Sequence, residues 1–496
     1  MIRILFIKPY RASVATVCTP PLGLLYLASY LREQINDVHI DLVDMRLAEE
    51  TPEQLISNRD IGGYDVVGIS ALNFESEAAH EIANAIKQRW PRVITALGGP
   101  YVRSSPERTI SGGGFDWIFD GECERTFAAA IKAQFVNKCA LTGIAGLTWW
   151  DESREAHARN PGYDTIPDLD ALPMPAWDLV DFDFYARRPN HNGWLKGTRY
   201  ASLFTSRGCP YKCTYCHDIF GKKFRWRSAE NVLAEIDHLR TTYGVDEFHI
   251  IDDIFNLHKP RMRKIAQQVI DTWGERKLHF CFPNGIRADI FEQRDVPLIA
   301  RMGVFQMAIA IETVTPRLQT LIKKDLDFDN VARVIEKCDA EGILSKGFFM
   351  IGFPTETVQE INDTIEFAVK SRLTWAGFFL VVPQENTPLH DLAQSEAPVA
   401  LEHITVRDYY SDKPWYEYAY GVDLRKIQQR AFRRFYLQPW RMMRIIRHVR
   451  PESLWKGLRI FLTIVAIKEP IDQRAHGPQE SSMTEVDEAY NNRDAA

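Results

Sequence analysis

The chain alternates short apolar segments with amphipathic ones in two series, and a proline-rich stretch separates them. In the first series, Ala78, Ile82 and Ile86 recur at helical spacing between the third and fourth apolar runs. Such a βα alternation builds a parallel sheet with helices on both faces. We therefore predict a doubly wound, Rossmann-like α/β domain over residues 1–150. Its predicted strands are Ile2–Ile7, His39–Val43, Val66–Ser70, Val93–Leu97 and Asp116–Phe119.

The second series predicts six further βα units. Residues 151–195 contain Pro161, Pro167, Pro173 and Pro175, which favours an extended linker. Six units predict a partial (β/α)6 barrel of the TIM type over residues 196–395, with its working face at the carboxyl ends of the strands. We expect a mainly helical C-terminal region over 396–475 and a disordered tail over 476–496. The predicted barrel strands are Ala201–Thr205, Glu247–Ile251, His279–Phe282, Phe305–Ile311, Lys346–Ile351 and Phe378–Val382.

Composition excludes several classes of protein. The 496 residues carry a net charge of -6 with 25% charged residues, so no global bias points to nucleic acid. The N-terminal run Ile2–Ile7 is too short for a signal sequence and continues into Lys8. The apolar run Ile460–Ile467 is shorter than the roughly 20 residues that a membrane span needs. With scattered cysteines besides one cluster, we expect a reduced, cytoplasmic protein.

That cluster consists of Cys209, Cys213 and Cys216, in a Cys-x3-Cys-x2-Cys spacing after the first predicted barrel strand. Three thiolates this close can hold three irons of a four-iron cluster. The spacing offers no fourth cysteine, so one iron is left open for chemistry. The alternative is a structural zinc site completed by His217 or Cys281.

With Tyr215 just before its third cysteine, this run resembles the radical S-adenosylmethionine (SAM) superfamily. The resemblance implies a [4Fe-4S] cluster that binds SAM through its amino and carboxylate groups at the open iron. It also implies SAM contacts at the ends of successive barrel strands. The SAM-binding residues it suggests are Tyr215, Asp252, Asp253, Arg287, Glu312 and Gly352.

The resemblance also implies roles for these residues. Asp252 or Asp253 would meet the methionyl ammonium, and Arg287 would present its guanidinium fork to the methionyl carboxylate. Glu312 would contact the ribose or the ammonium. Gly352, which lacks a Cβ, would let the backbone approach the adenine.

The first domain resembles the cobalamin-binding domain that precedes the barrel in one subclass of these enzymes. The matching loops are 20–23, 68–70, 97–100 and 121–124. A dinucleotide site is the competitor, but no Gly-x-Gly-x-x-Gly follows the first strand. His39 lies in a predicted strand without the glycine of an Asp-x-His-x-x-Gly motif, so we expect no histidine ligand to cobalt. The implied cobalamin-binding residues are Pro21, Gly23, Ser70, Asn73, Gly98, Gly99, Pro100, Gly121 and Glu122.

The resemblance as a whole implies a cobalamin-dependent radical SAM enzyme. Its leading interpretation is methylation of an unactivated carbon of a small molecule or lipid, by way of a 5′-deoxyadenosyl radical and methylcobalamin. Such an enzyme needs an electron donor such as flavodoxin or ferredoxin. The alternatives are an oxidative cyclase or ring-rearranging enzyme with the same domains, and a non-catalytic iron–sulfur and corrin binding protein.

The C-terminal region is basic. Residues 425–459 contain eleven Lys or Arg and one acid, mixed with apolar residues such as Trp440 and Met442. A basic amphipathic helix can lie on an anionic membrane surface, so peripheral membrane contact through 425–459 is one interpretation. The favoured interpretation is a helix that packs over the barrel.

Overall fold

A computed structural model describes residues 1–11, 17–151, 153–188, 190, 195–216, 219–402 and 414–448. His217, the end of the basic region from residue 449 onward and the predicted tail at 476–496 lie outside these ranges. Within them, none of the helices has the length and apolar character that crossing a membrane requires.

The first domain is built on a seven-stranded sheet in the order β2-β1-β3-β4-β5-β6-β7. The first five strands pair in parallel, whereas β5, β6 and β7 pair antiparallel. All five strands predicted for this domain are present. The strands are β1 Ile2–Lys8, β2 Val38–Asp44, β3 Val66–Ser70, β4 Ile94–Gly98, β5 Trp117–Phe119, β6 Leu147–Asp151 and β7 Ala156–Arg159.

Helices cover both faces of this sheet, as expected for a doubly wound fold. One core contains α4, whose Ala79, Ile82 and Ile86 are fully buried, and the other contains α1 and α7. The helices are α1 Leu22–Gln34, α2 Met45–Ala48, α3 Pro52–Asn58, α4 Ser76–Arg89, α5 Pro100–Ser104, α6 Pro106–Ser111 and α7 Glu124–Ile131.

The predicted division at residue 150 falls inside β6 and is corrected by the structure. The first sheet continues to Arg159 because Trp149 pairs with Trp117 on one side and with Ala158 on the other. Prolines begin only at Pro161, so the irregular connection starts about ten residues later than the sequence suggested. This connection is anchored by buried Trp177 and Tyr185, the latter in α8, Phe182–Arg187.

The second domain is an open, six-stranded parallel sheet in the order β15-β14-β13-β12-β11-β8, which is a partial barrel. All six predicted barrel strands are present, and the predicted fold class is confirmed. A short antiparallel ribbon, β9 with β10, follows the first strand. The strands are β8 Tyr200–Leu203, β9 Ser206–Arg207, β10 Arg225–Trp226, β11 Glu247–Ile250, β12 His279–Ile286, β13 Val304–Glu312, β14 Leu344–Ile351 and β15 Trp375–Leu380.

Helices pack on the outside of the barrel strands. Many begin at a side-chain cap, such as Ser228 on α9, which accepts a hydrogen bond from the Asn231 backbone. The helices are α9 Ala229–Tyr243, α10 Lys259–Trp273, α11 Asp295–Met302, α12 Pro316–Leu321, α13 Phe328–Glu341 and α14 Val358–Lys370.

The C-terminal region is helical and packs against β15. Phe432 and Phe435 place their rings against Phe378, with centroids 5.4 and 6.4 Å away. Arg441 is fully buried and donates to the backbone carbonyl of Leu373. The described part of the basic region therefore packs over the barrel. These helices are α15 Pro388–Glu396, α16 Pro398–Glu402, α17 Trp415–Tyr420, α18 Leu424–Tyr436 and α19 Pro439–His448.

Candidate functional site

The cysteine run lies in the loop between β9 and β10, at the carboxyl end of the barrel. Gly208, with φ +85°, turns the chain into this loop, and a Cβ there would lie 2.5 Å from the carbonyl oxygen of Lys223. Its N–H donates to Asp253 Oδ2 over 3.2 Å. The glycine is thus required by the turn that presents Cys209 at the mouth.

The three cysteines form no disulfide bond and lie in the same loop. Burial raises the pKa of the Cys209 thiol, and the neighbouring Cys213 adds to the increase. Burial followed by Cys213 raises the pKa of Cys216 to about 12. A cation shared by the three sulfurs would stabilise them as thiolates. The donor set therefore fits a [4Fe-4S] cluster with one iron not held by these cysteines.

Cys281 does not complete a zinc site with them. It lies near the start of β12, together with Glu247 and His249 of β11, and the ligand atoms of these three residues lie within 4.8 Å of one another. All three are buried at the amino ends of the strands, opposite the cysteine loop. The other zinc alternative, His217, is outside the described residues.

Tyr215 and Glu312 meet at the mouth, together with Lys324. The Tyr215 hydroxyl donates to Glu312 Oε1 over 3.1 Å, and Lys324 Nζ donates to the same oxygen over 2.8 Å. Burial, reinforced by Glu312, raises the pKa of Tyr215 well above its usual value. Among the described residues none donates to Oε2 of Glu312, so this oxygen is available to a ligand at the mouth.

Arg287 lies beside the cysteine loop. Its guanidinium stacks on the ring of Tyr211, with Cζ 3.9 Å from the centroid, and it pairs with Asp289 through Nε and Nη2 at 3.1 and 2.7 Å. Nη2 also donates to the carbonyl of Lys324. Within the described part of the chain nothing accepts from Nη1, which can therefore reach a carboxylate ligand.

The two adjacent aspartates have different environments. Asp252 is 3% exposed, and its carboxylate accepts hydrogen bonds from the Thr205 backbone, the Thr205 hydroxyl and the Ser206 hydroxyl. Asp253 is exposed and contacts the cysteine loop through Gly208. The carboxylate of Asp252 thus holds β8 and β9 together, and Asp253 is the better of the two predicted ammonium contacts.

Gly352 requires a different explanation from the one predicted. Its φ is +92°, and the space that a Cβ would need is filled by Leu424 at 2.4 Å and Tyr416 at 3.2 Å. Its N–H donates to Glu356 Oε2 over 2.6 Å. The C-terminal helices and the turn geometry explain the glycine, whereas the sequence interpretation attributed it to an approaching adenine.

The predicted cobalamin loops lie together at the carboxyl edge of the first sheet. Ser70 and Gly98 end β3 and β4 and are paired in register. Gly99 has φ +92°, and a Cβ there would lie 2.8 Å from the Ala71 carbonyl, so only glycine fits before Pro100 and α5. Gly23, by contrast, has open space where a Cβ would be. The loops thus form one continuous edge, which begins with Pro21 at the start of α1.

Each of the two domains matches the model of a known protein family. The radical SAM superfamily model matches residues 203–368, and the B12 binding domain model matches residues 8–131. The chain belongs to the B12-binding radical SAM proteins. The predicted family is confirmed, and the three predicted cofactors, a [4Fe-4S] cluster, SAM and cobalamin, are those of these two domain families.

Relatives of this radical SAM protein include methyltransferases and a cyclase. An uncharacterised methyltransferase of Pyrococcus horikoshii is 29% identical over 88% of the chain and 93% of the relative. The cytidylyl-2-hydroxyethylphosphonate methyltransferase of Streptomyces wedmorensis is 28% identical over 74% of the chain and 76% of the relative. An anaerobic magnesium-protoporphyrin IX monomethyl ester cyclase of Rubrivivax gelatinosus is 23% identical over 79% of the chain and 69% of the relative.

The solved structure of the radical SAM methyltransferase TsrM from Kitasatospora setae has the same fold. The TM-score is 0.64 at 18% identity, and the match covers 80% of this chain and 77% of TsrM. The match supports the arrangement of a B12 binding domain ahead of a partial barrel.

In this radical SAM protein Glu122 is a buried ion-pair partner. Its Oε2 accepts from Arg207 Nη1 over 3.0 Å and from the Ile166 backbone, and its Oε1 accepts from Arg225. The prediction that Glu122 contacts cobalamin overlooked these arginines, which come from the barrel domain. Gly121 before it has φ +97° and forms a bridge with Asp164.

Asn73 lies where the two domains meet. Its amide donates to Gln384 Oε1 over 3.0 Å, and its oxygen accepts from the Ser104 hydroxyl. It lines a cavity of about 430 Å³ that also contains Arg11 and His80. His39 is distant from this edge: it lies in β2 and pairs with Asp41.

Lys324, Tyr211 and Asp289 were missed by sequence reasoning. The segment of Lys323 and Lys324 looks like a solvent-exposed charge run, yet Lys323 has φ +52° and its carbonyl lies 3.9 Å from the Cys213 sulfur. No local signal in the sequence marks Lys324, because only the fold brings its Nζ to Glu312.

Proposed function

We propose that this radical SAM protein is an enzyme that methylates an unactivated carbon of a small molecule or lipid. The observation that carries the proposal is the buried Glu122–Arg207 pair. Glu122 belongs to the loop after β5, at the predicted cobalamin edge, and Arg207 lies two residues before Cys209. A single ion pair therefore couples the loops proposed to hold the two cofactors.

When bound, the cluster and SAM supply a 5′-deoxyadenosyl radical, and methylcobalamin supplies the methyl group. Cys209, Cys213 and Cys216 would hold the cluster. Asp253 and Arg287 would orient the methionyl ammonium and carboxylate, because one is an exposed acid and the other has unoccupied N–H groups at the same mouth.

Tyr215, Glu312 and Lys324 would bind SAM on its ribose side. Lys324 holds Oε1 of Glu312 in a charge-assisted hydrogen bond, which would fix the carboxylate and leave its other oxygen for the ligand. Gly352 would contribute only backbone groups, since α17 and α18 pack over its Cα. An external one-electron donor such as flavodoxin or ferredoxin would reduce the cluster.

Two relatives named as methyltransferases at 28–29% identity favour methyl transfer, and the cyclase relative at 23% supports oxidative cyclisation or ring rearrangement as the second candidate. The products that the enzyme forms from SAM distinguish a methyltransferase from a cyclase. A methyltransferase of this kind consumes SAM both as radical source and as methyl donor, so it releases 5′-deoxyadenosine and S-adenosylhomocysteine. A cyclase releases 5′-deoxyadenosine without S-adenosylhomocysteine.

The test is anaerobic reconstitution with iron, sulfide and cobalamin, followed by incubation with reductant, SAM carrying a deuterated methyl group, and small-molecule and lipid extracts. We expect both SAM products, and a new species that carries the deuterated methyl group. Release of 5′-deoxyadenosine alone would favour the cyclase. Release of neither product would favour a non-catalytic iron–sulfur and corrin binding protein and would contradict the proposal.

A further inference from the structure

The inner face of the last two barrel strands has an unusual lining. In β14 and β15, residues that face the outer helices are fully buried, and the alternate residues are only half-buried. On the outer face, Phe378 packs on α18 and Phe349 on Phe378. The alternate residues point the other way, into the barrel. We call them the lumen wall; they are Lys346, Phe348, Met350, Trp375, Gly377 and Phe379.

The lumen wall is mainly aromatic and accessible. Phe348 and Phe379 meet edge to face with centroids 5.6 Å apart. Gly377 is the register partner of Phe348, and the absence of a Cβ there makes room for the ring of Phe379. Because the sheet is open at β15, this wall borders the side of the barrel that no strand closes. An apolar, flat-sided molecule fits such a surface.

Lys346 is the only charged member of this wall. Its Nζ lies 5.3 Å from the centre of the Phe348 ring, and none of the described residues gives it a hydrogen bond or an ion pair. Burial lowers the pKa of Lys346, with no acidic group opposing the shift. An ammonium group in this position lacks the counter-charge that buried cations normally have.

A second unpartnered donor lies next to it. Trp375 is the register partner of Lys346 on the neighbouring strand, and its Nε1 is buried without a hydrogen-bond partner in the described part of the chain. A buried indole N–H usually finds an acceptor. Two adjacent donors without acceptors, one of them charged, form a site for an anionic group.

We propose that the substrate is an organic anion whose charged group binds Lys346 and Trp375, while its apolar body packs on Phe348 and Phe379. The proposal rests on the proposed function, because it assigns the substrate class of the same barrel. Phosphate, phosphonate and carboxylate groups share the required chemistry.

The position of Lys346 also limits the size of the substrate. Its Nζ lies near the ring of Phe348, which is four residues before Gly352 at the carboxyl end of β14. At about 3.3 Å per residue, Phe348 and Gly352 are roughly 13 Å apart along the strand direction. This distance suits a medium-sized substrate that spans the lumen.

The test compares binding of 2-naphthyl phosphate, 2-naphthoate and neutral 2-naphthol to the reconstituted holoenzyme saturated with SAM, by calorimetry. We expect the wild type to bind at least one anion about tenfold more tightly than 2-naphthol. The anion that binds more tightly distinguishes a phosphate-type substrate from a carboxylate. No preference for either anion would overturn the proposal.

Variants test whether the preference for anions arises at Lys346 and Trp375. Lys346→Met should abolish it while leaving 2-naphthol binding unchanged, and Lys346→Arg should retain it. Trp375→Phe, which removes the N–H and keeps an aromatic ring, should weaken anion binding several-fold. The matched control is Lys370→Met on exposed α14, which should behave as wild type. An undiminished preference in Lys346→Met would overturn the proposal.

The same samples separate this proposal from the proposed function. Basal 5′-deoxyadenosine release is measured in the wild type without naphthyl compounds, and the control Lys370→Met should match it. If anion preference depends on Lys346 but no 5′-deoxyadenosine is formed, the anion site is retained and the proposed function fails. If 5′-deoxyadenosine is formed without anion preference, only the anion site fails.

Discussion

Arg207 of the barrel donates to Glu122 of the first domain over 3.0 Å, and both side chains are at least nine-tenths buried. The same guanidinium donates to Glu124 over 2.7 Å, and Arg225 completes the network through Glu122. Buried ion pairs contribute little net stability compared with apolar packing, but removing one partner is costly because it leaves a buried charge unpaired. This network sets the position of the cysteine loop relative to the cobalamin edge.

Replacing Glu122 should therefore destabilise the domain junction. Glu122→Gln leaves Arg207 and Arg225 without their shared counter-charge, and breaking such a buried pair costs about 3–5 kcal/mol. The free energy of unfolding in urea measures the loss. The control is Asp178→Asn, which breaks the exposed Arg32–Asp178 pair and should cost under about 1 kcal/mol. Equal effects of the two variants would contradict the structural role of Glu122.

Substitutions of the two neighbouring aspartates should have different effects, one on stability and the other on SAM binding. Asp252→Asn disrupts a buried carboxylate that accepts three hydrogen bonds, so the thermal midpoint should fall. Asp253→Asn should leave that midpoint near wild type and weaken SAM binding, measured by calorimetry on the reconstituted protein. The assignment fails if Asp253→Asn binds SAM as tightly as the wild type.

Glu312 should control SAM affinity without affecting the cluster. Glu312→Gln keeps an oxygen acceptor but removes the charge that pairs with Lys324, and we expect SAM affinity to fall roughly tenfold. The visible iron–sulfur absorbance should be retained. Glu341→Gln, at the end of α13, is the control and should bind SAM normally. Unchanged affinity in Glu312→Gln would exclude the proposed contact.

Glu356 should make stability depend on pH. Burial raises the pKa of Glu356 from the usual 4.5 to about 8. The unfolded chain then loses its proton first, so this group's contribution to stability is lost as the pH rises from about 5 to about 8. We expect a smaller decline in unfolding free energy over this range in Glu356→Gln. Glu366→Gln, on the surface of α14, should not reduce the decline. An identical decline in Glu356→Gln and the wild type would contradict this explanation.

The strands were predictable because their periodicity is a local property of the sequence. Each of the eleven predicted strands is present, with ends that differ by a few residues. Strands β6 and β7 were missed, since Trp149 and Trp150 precede a short charged turn and resemble the start of a linker. Their pairing with Trp117 and His157 depends on contacts between separate segments, which periodicity does not encode.

The places of the predicted site residues in the fold followed from the sequence only where the chain supplies a spaced motif. The cysteine run and Glu312 met at the mouth because strand ends converge there. Glu122 and Gly352 were assigned to ligands, although their environments are set by Arg207 and Leu424 from distant parts of the chain. Lys324 gave no signal because its partner, Glu312, is brought close by the fold.

Formation of 5′-deoxyadenosine by the anaerobically reconstituted protein tests the central claim most directly. The wild type should form it from SAM and reductant, and Cys213→Ala should lose both this activity and the iron–sulfur absorbance while still binding cobalamin. Cys139→Ala, at an exposed cysteine of the first domain, is the matched control and should remain active. Retained SAM cleavage in Cys213→Ala, or none in the reconstituted wild type, would contradict the account.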